Sequence, residues 1–361
     1  MIPQNIPFLP PFEEYSTLLK RIWESKHLTN SGPIEQEFVK KLEGLGFKNV
    51  STVVNGHMAL EACVDVFGLT GEIITTPFTF ASTITAIHRK GITPIFADID
   101  VKTFNIDPKE IEKKITSKTT AIFAVHVFGN PSDHDALRKV ADKYGLKLIY
   151  DAAHCFGCYK DGENISSLGD ASMFSLHATK VMHSVEGGLI TFKEDSDLNK
   201  FKLLKNFGIQ GDAVVLPGGN LKMNEFSAAM GVVNLNYIDS IIEKRKSIFQ
   251  LYLDRLKDET KLSFQYNSEA NFTRNYAYFP IVLDQKIDRD DVFDKLNQYG
   301  VNVRKYFYPL ATDYDFLTSC DEFNNAKRVS NSILTLPLYA DLSLEDANLV
   351  CDKLIEVLNE I

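Results

Sequence analysis

Two short segments of the chain carry side chains that could act on one small ligand. Asp151 begins the run Asp-Ala-Ala-His directly after an apolar stretch, and Lys180 ends the run Ser-Leu-His-Ala-Thr-Lys after the next apolar stretch. Ligands of open α/β sheets bind at the carboxyl ends of strands, so both residues are well placed to meet one. A lysine held in such a place can lose its proton and attack a carbonyl carbon.

Two further segments could bind the same ligand. Gly56 and His57 stand between the first apolar stretch and a predicted helix, where free backbone amides make an anion site. Phe80 follows the second apolar stretch, where an aromatic ring can stack on a flat ligand. Each feature alone has an ordinary explanation. Asp151 could cap a helix, Lys180 could be a solvated charge, and Phe80 could be a core residue.

The four segments together predict one chemistry. A phosphate site, a stacking face, an acid and a Schiff-base lysine are what a pyridoxal phosphate (PLP) protein must supply. The acid keeps the pyridine nitrogen protonated, so that the ring can accept electrons from a substrate carbanion. The lysine holds the aldehyde and, once an amine displaces it, moves a proton between substrate and cofactor carbons. We therefore expect a PLP enzyme with Lys180 as the covalent anchor and Asp151 as the acid.

The elements that must position these residues alternate along the first half of the chain. Most of the apolar stretches are continuous, as in strands buried on both faces. The predicted strands are Val50–Val54, Glu72–Thr75, Thr93–Ala97, Ala121–Val125, Leu146–Tyr150, Ser172–Leu176 and Leu189–Phe192. The predicted helices between them are His57–Phe67, Ala81–Arg89, Pro108–Ile115 and Asp133–Lys143. This rhythm predicts an α/β fold with a mainly parallel, roughly seven-stranded sheet between helices.

The second half of the chain predicts a smaller α+β unit. The expected elements are a Gly-rich surface loop over Gly208–Asn220, a long helix over Glu225–Leu256, a strand over Tyr276–Leu283, a helix over Arg289–Tyr299, a strand over Val301–Tyr308 and a closing helix over Asp346–Leu358. We place a large PLP-binding domain over residues 1–236 and a small C-terminal domain over residues 237–361.

Composition and charge argue against several classes of partner and site. The net charge of -9, with no run of Lys and Arg, argues against a nucleic-acid partner. The N-terminus lacks the pattern of a signal peptide and no stretch approaches about 20 apolar residues, so we expect a cytoplasmic protein without a membrane segment. The five cysteines are scattered and odd in number, which argues against disulfides. Cys155 and Cys158 lack a second ligand pair, and we predict no metal site.

Motifs through nearly the whole chain resemble one known family. Asp151–His154, Ser175–Lys180 and Glu186–Gly188 are similar to the hallmarks of the DegT/DnrJ/EryC1/StrS sugar aminotransferases. Further similar blocks are Leu28–Pro33, Gly219–Phe226, Tyr306–Leu310 and Leu336–Leu338. The resemblance implies an aspartate-aminotransferase-type (PLP fold type I) structure. It also implies a homodimer with shared active sites, and a cofactor that alternates between the PLP and pyridoxamine phosphate (PMP) forms.

The resemblance also implies roles for individual residues. Lys180 is the Schiff-base lysine, Asp151 partners the pyridine nitrogen, and His154 lies near the ring hydroxyl. The remaining cofactor contacts that it implies are Phe80 for stacking, and Gly56, His57, Ser175 and the other subunit's Asn220 for the phosphate. The weaker substrate contacts are Arg304, Tyr306, Tyr308 and His183, of which His183 is as well explained by a structural role. The family often has Thr at the position of His57, so a hydroxyl contact to phosphate is lost here.

The resemblance extends to a class of substrate. The family mostly moves the amino group of L-glutamate to a keto carbon of a nucleotide-linked sugar. Pro7–Pro11 and Gly71–Phe78 look most like enzymes acting at carbon 4 of dTDP-4-keto-6-deoxy-D-glucose, in pathways to surface polysaccharide such as the O-antigen of lipopolysaccharide. Amination at carbon 3 and UDP- or GDP-linked sugars are the near alternatives. A PLP lyase or dehydratase and a non-catalytic regulator of the same fold are the others.

Overall fold

The computed structural model describes residues 1–266, 271–317 and 321–361, in which strands and helices alternate. The strands are β1 Val50–Val53, β2 Glu72–Thr75, β3 Thr93–Phe96, β4 Thr119–Val125, β5 Lys147–Asp151, β6 Tyr159–Lys160, β7 Glu163–Asn164, β8 Ala171–Ser175, β9 Gly188–Phe192, β10 Ile209–Gln210, β11 Ala213–Val214, β12 Leu262–Phe264, β13 Phe272–Thr273, β14 Phe279–Leu283 and β15 Ile333–Leu336. The helices are α1 Phe12–Ser25, α2 Pro33–Gly44, α3 Gly56–Phe67, α4 Ala81–Arg89, α5 Pro108–Glu112, α6 His134–Tyr144, α7 Asp195–Leu204, α8 Glu225–Leu235, α9 Ile238–Leu256, α10 Arg289–Gln298, α11 Asn324–Ser332 and α12 Leu344–Asn359.

The central sheet has seven strands in the order β1-β9-β8-β5-β4-β2-β3, as the alternation of apolar stretches predicts. Strands β3, β2, β4, β5 and β8 are parallel, and β9 runs antiparallel to both of its neighbours. Asp151 at the end of β5 pairs with Val125 of β4 and Met173 of β8. The carboxyl ends of these strands therefore meet at one edge of the sheet, and the segment that leads to Lys180 leaves β8 there.

Separate cores cover the two faces of the sheet, because successive strand residues point to opposite sides. Ile149 of β5 packs in a core with residues of α3, α4 and α7. Its neighbours Leu148 and Tyr150 pack in another core with residues of α5 and α6. A third core joins α1, α2 and α8 to the β1–β9–β8 side of the sheet. Strand β5 is thus held from both sides, which fixes the position of the carboxylate at its end.

The C-terminal part of the chain forms a smaller layered unit. Strands β12, β14 and β15 make an antiparallel sheet, and its core includes residues of α9, α10 and α12. Ile2 joins this core and forms a bridge with Val301. Ile238 and Ile241 at the start of α9 pack in the core of the large sheet, whereas Ile248 farther along packs in the core of the small unit. The domain boundary at residues 236/237 therefore stays a prediction.

Three parts of the second half differ from the sequence prediction. The pattern over Glu225–Leu256 is two helices, α8 and α9, because the chain breaks between Leu235 and Ile238. The strand predicted over Val301–Tyr308 is wrong. Residues in this segment have strand propensity, but the segment forms only two isolated β-bridges with different parts of the chain. Val301 pairs with Ile2, and Arg304 pairs with Thr335. The loop over Gly208–Asn220 contains the two-stranded hairpin β10–β11.

Within the described residues, no helix is both long and apolar enough to cross a membrane. Cys155 and Cys158 are free thiols, fully buried in a hydrophobic core, as expected of small apolar side chains. Cys320 lies outside the described residues.

Gly188 at the start of β9 generates a prediction about the loop that precedes α3. A Cβ atom at this position would lie 2.7 Å from the carbonyl carbon of Asn55 and 2.8 Å from the amide nitrogen of Gly56. Gly188→Ala must therefore move backbone, and we expect it to lower the free energy of unfolding by about 1–3 kcal/mol. Thermal or urea unfolding measures the effect.

Gly44→Ala is the matched control, because a Cβ atom there would have no neighbour within 4 Å. It should not lower the free energy of unfolding, and the higher helix propensity of Ala would raise it by up to about 1 kcal/mol. Equal stability of the two variants would show that the contact between β9 and the Asn55–Gly56 loop is not tight.

Candidate active site

A cavity of about 560 Å³ opens at the edge of the sheet where β5 and β8 end. Its volume lies in the range that holds small molecules and cofactors. The side chains that line it come from both parts of the chain, namely Asn55, Gly56, His57, Thr79, Phe80, Ser82, Val125, Asp151, Ala153, His154, Met173, Ser175, His177, Thr179, Lys180, Glu186, Tyr278, Arg304, Tyr306 and Phe307. The cavity brings together nine of the twelve predicted site residues.

The Asp151 carboxylate is the buried acid of this cavity. Burial raises its pKa, while hydrogen bonds and the nearby Lys180 charge oppose that rise. The Thr83 hydroxyl of α4 donates to Oδ2 at 2.7 Å, and the Ala153 amide donates to Oδ1 at 3.1 Å. Thr83 is itself 2.9 Å from the Thr79 hydroxyl. Both carboxylate oxygens thus have donors that favour the ionised form.

Lys180 lies in the segment that follows β8, and its amine shares the cavity with Asp151. Removal of the amine from water lowers its pKa, and the positive charge of Arg304 lowers it further. The negative charge of Asp151 acts in the opposite direction. A lysine with a lowered pKa has a larger neutral fraction, which is the form that attacks carbonyl carbon.

The start of α3 presents backbone donors at the place predicted for an anion site. The Asn55 side chain caps the helix by accepting from the Met58 amide at 2.9 Å. Helix geometry leaves the amides of Gly56 and His57 at the first two positions without intrahelical acceptors. Ser175 at the end of β8 lies beside them in the cavity lining. The His57 ring is engaged elsewhere, at 3.0 Å from both Ser82 Oγ and Glu61 Oε1, so the backbone amide is its available donor.

Two rings line the cavity together with Lys180 and Asp151. Phe80, directly before α4, is 55% exposed and lines the cavity, so its face is available to a ligand. His154 is buried, and its Nδ1 accepts from the Phe128 amide at 3.2 Å. Burial and the charge of Lys180 hold the pKa of His154 well below the usual value, so the ring is neutral. Since Nδ1 is an acceptor, the proton resides on Nε2, where it can be donated to a ligand.

The segment after Gly300 adds the substrate candidates Arg304 and Tyr306. Arg304 is bonded through its main chain to Thr335 of β15, and its guanidinium donates to the Tyr306 hydroxyl at 2.6 Å. Both side chains line the cavity. Tyr278, from the same part of the chain, also lines the cavity.

Three predicted residues lie outside the cavity lining of their own chain. Tyr308 is half-exposed and places its ring 4.5 Å from the Arg289 guanidinium. His183 is buried, with Nε2 at 2.7 Å from the Phe8 carbonyl oxygen and Nδ1 accepting from Val185, so both ring nitrogens serve the main chain. Asn220 is exposed beyond the β10–β11 hairpin.

Sequence reasoning missed several residues that the structure adds to the site. The Thr83 hydroxyl donates to Asp151. The sequence could have indicated this residue by its position, three residues after Phe80 in the first turn of the helix that follows β2. His177 and Glu186 flank Lys180 in the lining, with His177 Nε2 and Glu186 Oε1 3.6 Å apart. Tyr278 had no signal, because it comes from a part of the chain distant in sequence from the sheet.

The arrangement can hold a flat, anionic carbonyl compound. Backbone amides at the start of α3 face one end of the space, and the buried carboxylate faces another part of it. A lysine with a lowered pKa and an exposed phenylalanine ring line the same cavity. A ring nitrogen, an anionic group and an aldehyde on one molecule would meet complementary groups here.

Comparison with known proteins agrees with this geometry. The DegT/DnrJ/EryC1/StrS aminotransferase family matches residues 12–355. The dTDP-4-amino-4,6-dideoxy-D-glucose transaminase of Shigella dysenteriae is 39% identical over 362 residues, covering 98% of this chain and 97% of that protein. The GDP-perosamine synthase of Vibrio cholerae is 30% identical over 340 residues, covering 91% of each.

A solved structure is similar along most of its length. The structure of DesI in the presence of its TDP-sugar product superposes with a TM-score of 0.93 at 32% identity, covering 98% of this chain and 92% of that chain. The resemblance drawn from the Asp151, Lys180 and Glu186 motifs is thereby confirmed, and so is the fold class. The chain belongs to the DegT/DnrJ/EryC1/StrS aminotransferase family, whose enzymes are PLP-dependent aminotransferases.

Proposed function

We propose that this enzyme binds PLP on Lys180 and transfers the amino group of L-glutamate to carbon 4 of dTDP-4-keto-6-deoxy-D-glucose. The observation that carries the proposal is the joint placement of Lys180 and Asp151 in one cavity. The choice of sugar is supported by the 39% identity to a dTDP-4-amino-4,6-dideoxy-D-glucose transaminase across 98% of the chain. The product would serve a cytoplasmic pathway to surface polysaccharide.

The residues present fit this cofactor by their donors and acceptors. The Gly56 and His57 amides and the Ser175 hydroxyl would hold the phosphate, and Phe80 would stack on the ring. Asp151 already has two hydrogen-bond donors and is buried, so a protonated pyridine nitrogen would give it a charged partner. The neutral His154 would donate from Nε2 to the ring hydroxyl.

PLP supplies, when bound, an aldehyde that exchanges amines and a ring that accepts the electrons released at the carbon losing its proton. Lys180 performs two tasks in this account. Its neutral amine would hold the cofactor through the aldehyde carbon, and the same amine, once released by the donor, would carry the proton from the donor carbon. The lowered pKa, caused first by burial, enlarges the unprotonated fraction of the amine, which is the form that both tasks require.

Asp151 has a single task, which is to stay ionised beside the ring nitrogen. Burial alone would favour the neutral acid, and the hydrogen bonds from Thr83 and Ala153 oppose this. A GDP-linked 4-keto sugar is the second candidate substrate, favoured by the 30% identity to a GDP-perosamine synthase. Amination at carbon 3 and lyase or dehydratase chemistry remain the less supported alternatives.

A screen of nucleotide-linked keto sugars tests the proposed reaction. With L-glutamate as donor, the enzyme should form 2-oxoglutarate and an amino sugar with dTDP-4-keto-6-deoxy-D-glucose, at a kcat/KM at least about tenfold above that for UDP- or GDP-linked sugars. Chromatography and mass spectrometry identify the products. Lys180→Ala should abolish the reaction without unfolding the protein, since the anchor and the proton carrier are lost together.

Turnover of the GDP sugar in preference to the dTDP sugar would move the assignment to the second candidate. Loss of an oxygen from the sugar without transfer of nitrogen would identify a dehydratase. Substantial turnover by Lys180→Ala without an added amine would contradict the role of Lys180.

The hydrogen bond from Thr83 to Asp151 generates a pH prediction. Thr83→Val removes a donor to the carboxylate, which favours the neutral acid and raises the pKa of Asp151. Because an ionised Asp151 is required, the acid limb of the kcat/KM profile should move to higher pH by about one to two units, the equivalent of a hydrogen bond to a charged group. Activity at high pH should change less.

Thr85→Val is the control on the same helix, since the Thr85 hydroxyl donates to the Ala81 carbonyl and does not touch Asp151. An equal loss of activity at every pH in Thr83→Val would assign Thr83 a role in packing alone.

We also propose that two chains share each active site, with Asn220 donating to the partner's phosphate. Asn220 is exposed, and the preceding hairpin presents the exposed apolar side chains Ile209, Val214 and Val215. Such a hairpin has few buried contacts in its own chain, and a symmetric dimer would cover it.

Hybrid dimers test the shared site. Asn220→Asp and Lys180→Ala should each be nearly inactive alone, but a hybrid carries both lesions in one site and neither in the other. Mixed subunits that exchange should therefore recover up to about half of the activity per hybrid dimer. Size and subunit exchange are verified by light scattering and tagged chains. No recovery after verified exchange would place Asn220 and Lys180 in the same chain's site.

A further inference from the structure

Arg304 is the one guanidinium in the cavity lining of the described residues. Its main chain is fixed to β15, because its amide donates to the Thr335 carbonyl at 3.2 Å and its carbonyl accepts from the Thr335 amide at 2.8 Å. Among the described residues its guanidinium donates one hydrogen bond, to the Tyr306 hydroxyl, and lies 5.4 Å from the centroid of the Tyr306 ring. Most of its donors are thus available to a ligand, since a guanidinium has five N–H groups.

No carboxylate forms an ion pair with Arg304 in the described parts of the chain. The neighbouring Lys305 differs, because its amine lies 2.6 Å from Asp290 and 4.3 Å from the Phe293 ring centroid. Lys305 is therefore paired with Asp290 outside the cavity lining, whereas Arg304 lines the cavity without an acidic partner among the described residues. The N-terminal segment adds an amide beside Arg304, as Asn5 lines the adjoining recess with Tyr278.

Arg304 lies near the reacting amine. Its charge lowers the pKa of Lys180, which requires the two cations to lie within electrostatic reach. A nucleotide-linked 4-keto sugar would place its diphosphate far from this point, because carbon 4 stands across the pyranose ring from carbon 1. An amino acid donor differs, since its carboxylate is attached to the carbon that bears the amine. Of the two substrates, the donor amino acid is therefore the one that brings an anion next to Lys180.

We propose that Arg304, oriented by the Tyr306 hydroxyl, binds the carboxylate next to the amine of the donor amino acid. The inference rests on the proposed aminotransferase function and adds the residue that recognises the donor. A guanidinium and a carboxylate match in planar geometry and can form two parallel hydrogen bonds. The sugar presents only neutral hydroxyls near carbon 4, so it gains less from the charge.

The two half-reactions separate these contributions. Arg304→Gln should lower kcat/KM for conversion of the PLP form to the PMP form by L-glutamate about 10- to 100-fold, as expected for a lost hydrogen bond to a charged group. The kcat/KM of the second half-reaction, in which the PMP form aminates the keto sugar, should change less than about threefold. Absorbance of the cofactor follows both single-turnover reactions, and Arg304→Lys should restore part of the donor half-reaction.

Binding of glutarate, a dicarboxylate without an amine, provides a readout that needs no turnover. Its Kd for the PLP form, from calorimetry, should rise about 10-fold or more in Arg304→Gln. Lys305→Gln is the matched control, because it removes a neighbouring cation that faces Asp290 instead of the cavity. It should leave both half-reactions and the glutarate affinity within about twofold. Unfolding temperature and the cofactor spectrum verify that each variant is folded and loaded.

An equal loss in both half-reactions, or a loss confined to the sugar half-reaction, would overturn the assignment of Arg304 to the donor. Unchanged glutarate affinity in Arg304→Gln would do the same. Failure of the wild-type enzyme to accept an amino group from any amino acid would instead contradict the proposed function itself.

Discussion

The burial of an ionisable carboxylate at the end of β5 is the constraint on which the site depends. Asp151 is 6% exposed, and an acid in such a place favours its neutral form unless donors or a positive charge oppose this. The Thr83 hydroxyl and the Ala153 amide supply the donors, one to each oxygen. A protonated pyridine nitrogen would supply the charge. The same group that costs free energy in the folded chain is therefore the group that the cofactor would stabilise.

The surrounding fold serves this carboxylate and the lysine near it. Parallel pairing of β4, β5 and β8 brings three strand ends to one edge, and cores on both faces hold β5 in place. The C-terminal part of the chain contributes Tyr278, Arg304, Tyr306 and Phe307 to the cavity lining. Lys180 and Asp151 shift each other's pKa in opposite directions, because the charge of each favours the ionised form of the other. The Lys180 charge lowers the pKa of Asp151, and the Asp151 charge raises the pKa of Lys180. Burial has the larger effect on both groups and favours the neutral form of each.

The sequence predicted the part of the fold that repeats a simple pattern. Continuous apolar stretches such as Ala121–Val125 marked all seven strands of the large sheet, and strand ends located Asp151 and Lys180. It failed where tertiary contacts decide. The segment over Val301–Tyr308 has strand-like residues, yet its backbone bonds go to Ile2 and Thr335.

The sequence predicted mainly those site residues that stand at or shortly after the end of a strand, such as Asp151 and Lys180. Thr83 and Tyr278 were missed because their roles depend on α4 and on the approach of the small unit, which periodicity does not encode. His183 was named for its closeness to Lys180 in sequence, but its ring turns to the Phe8 and Val185 main chain. Proximity along the chain is weak evidence for a shared site.

Chemical trapping of the cofactor tests the central claim most directly. Treatment of the purified yellow enzyme with borohydride fixes PLP covalently to the amine that holds it, and peptide mass spectrometry then locates the added mass. We predict that the label lies on Lys180 alone, and that colour and activity are lost in proportion to each other. A label on another lysine with Lys180 unmodified, or no covalent label in an enzyme that transfers amino groups, would contradict it.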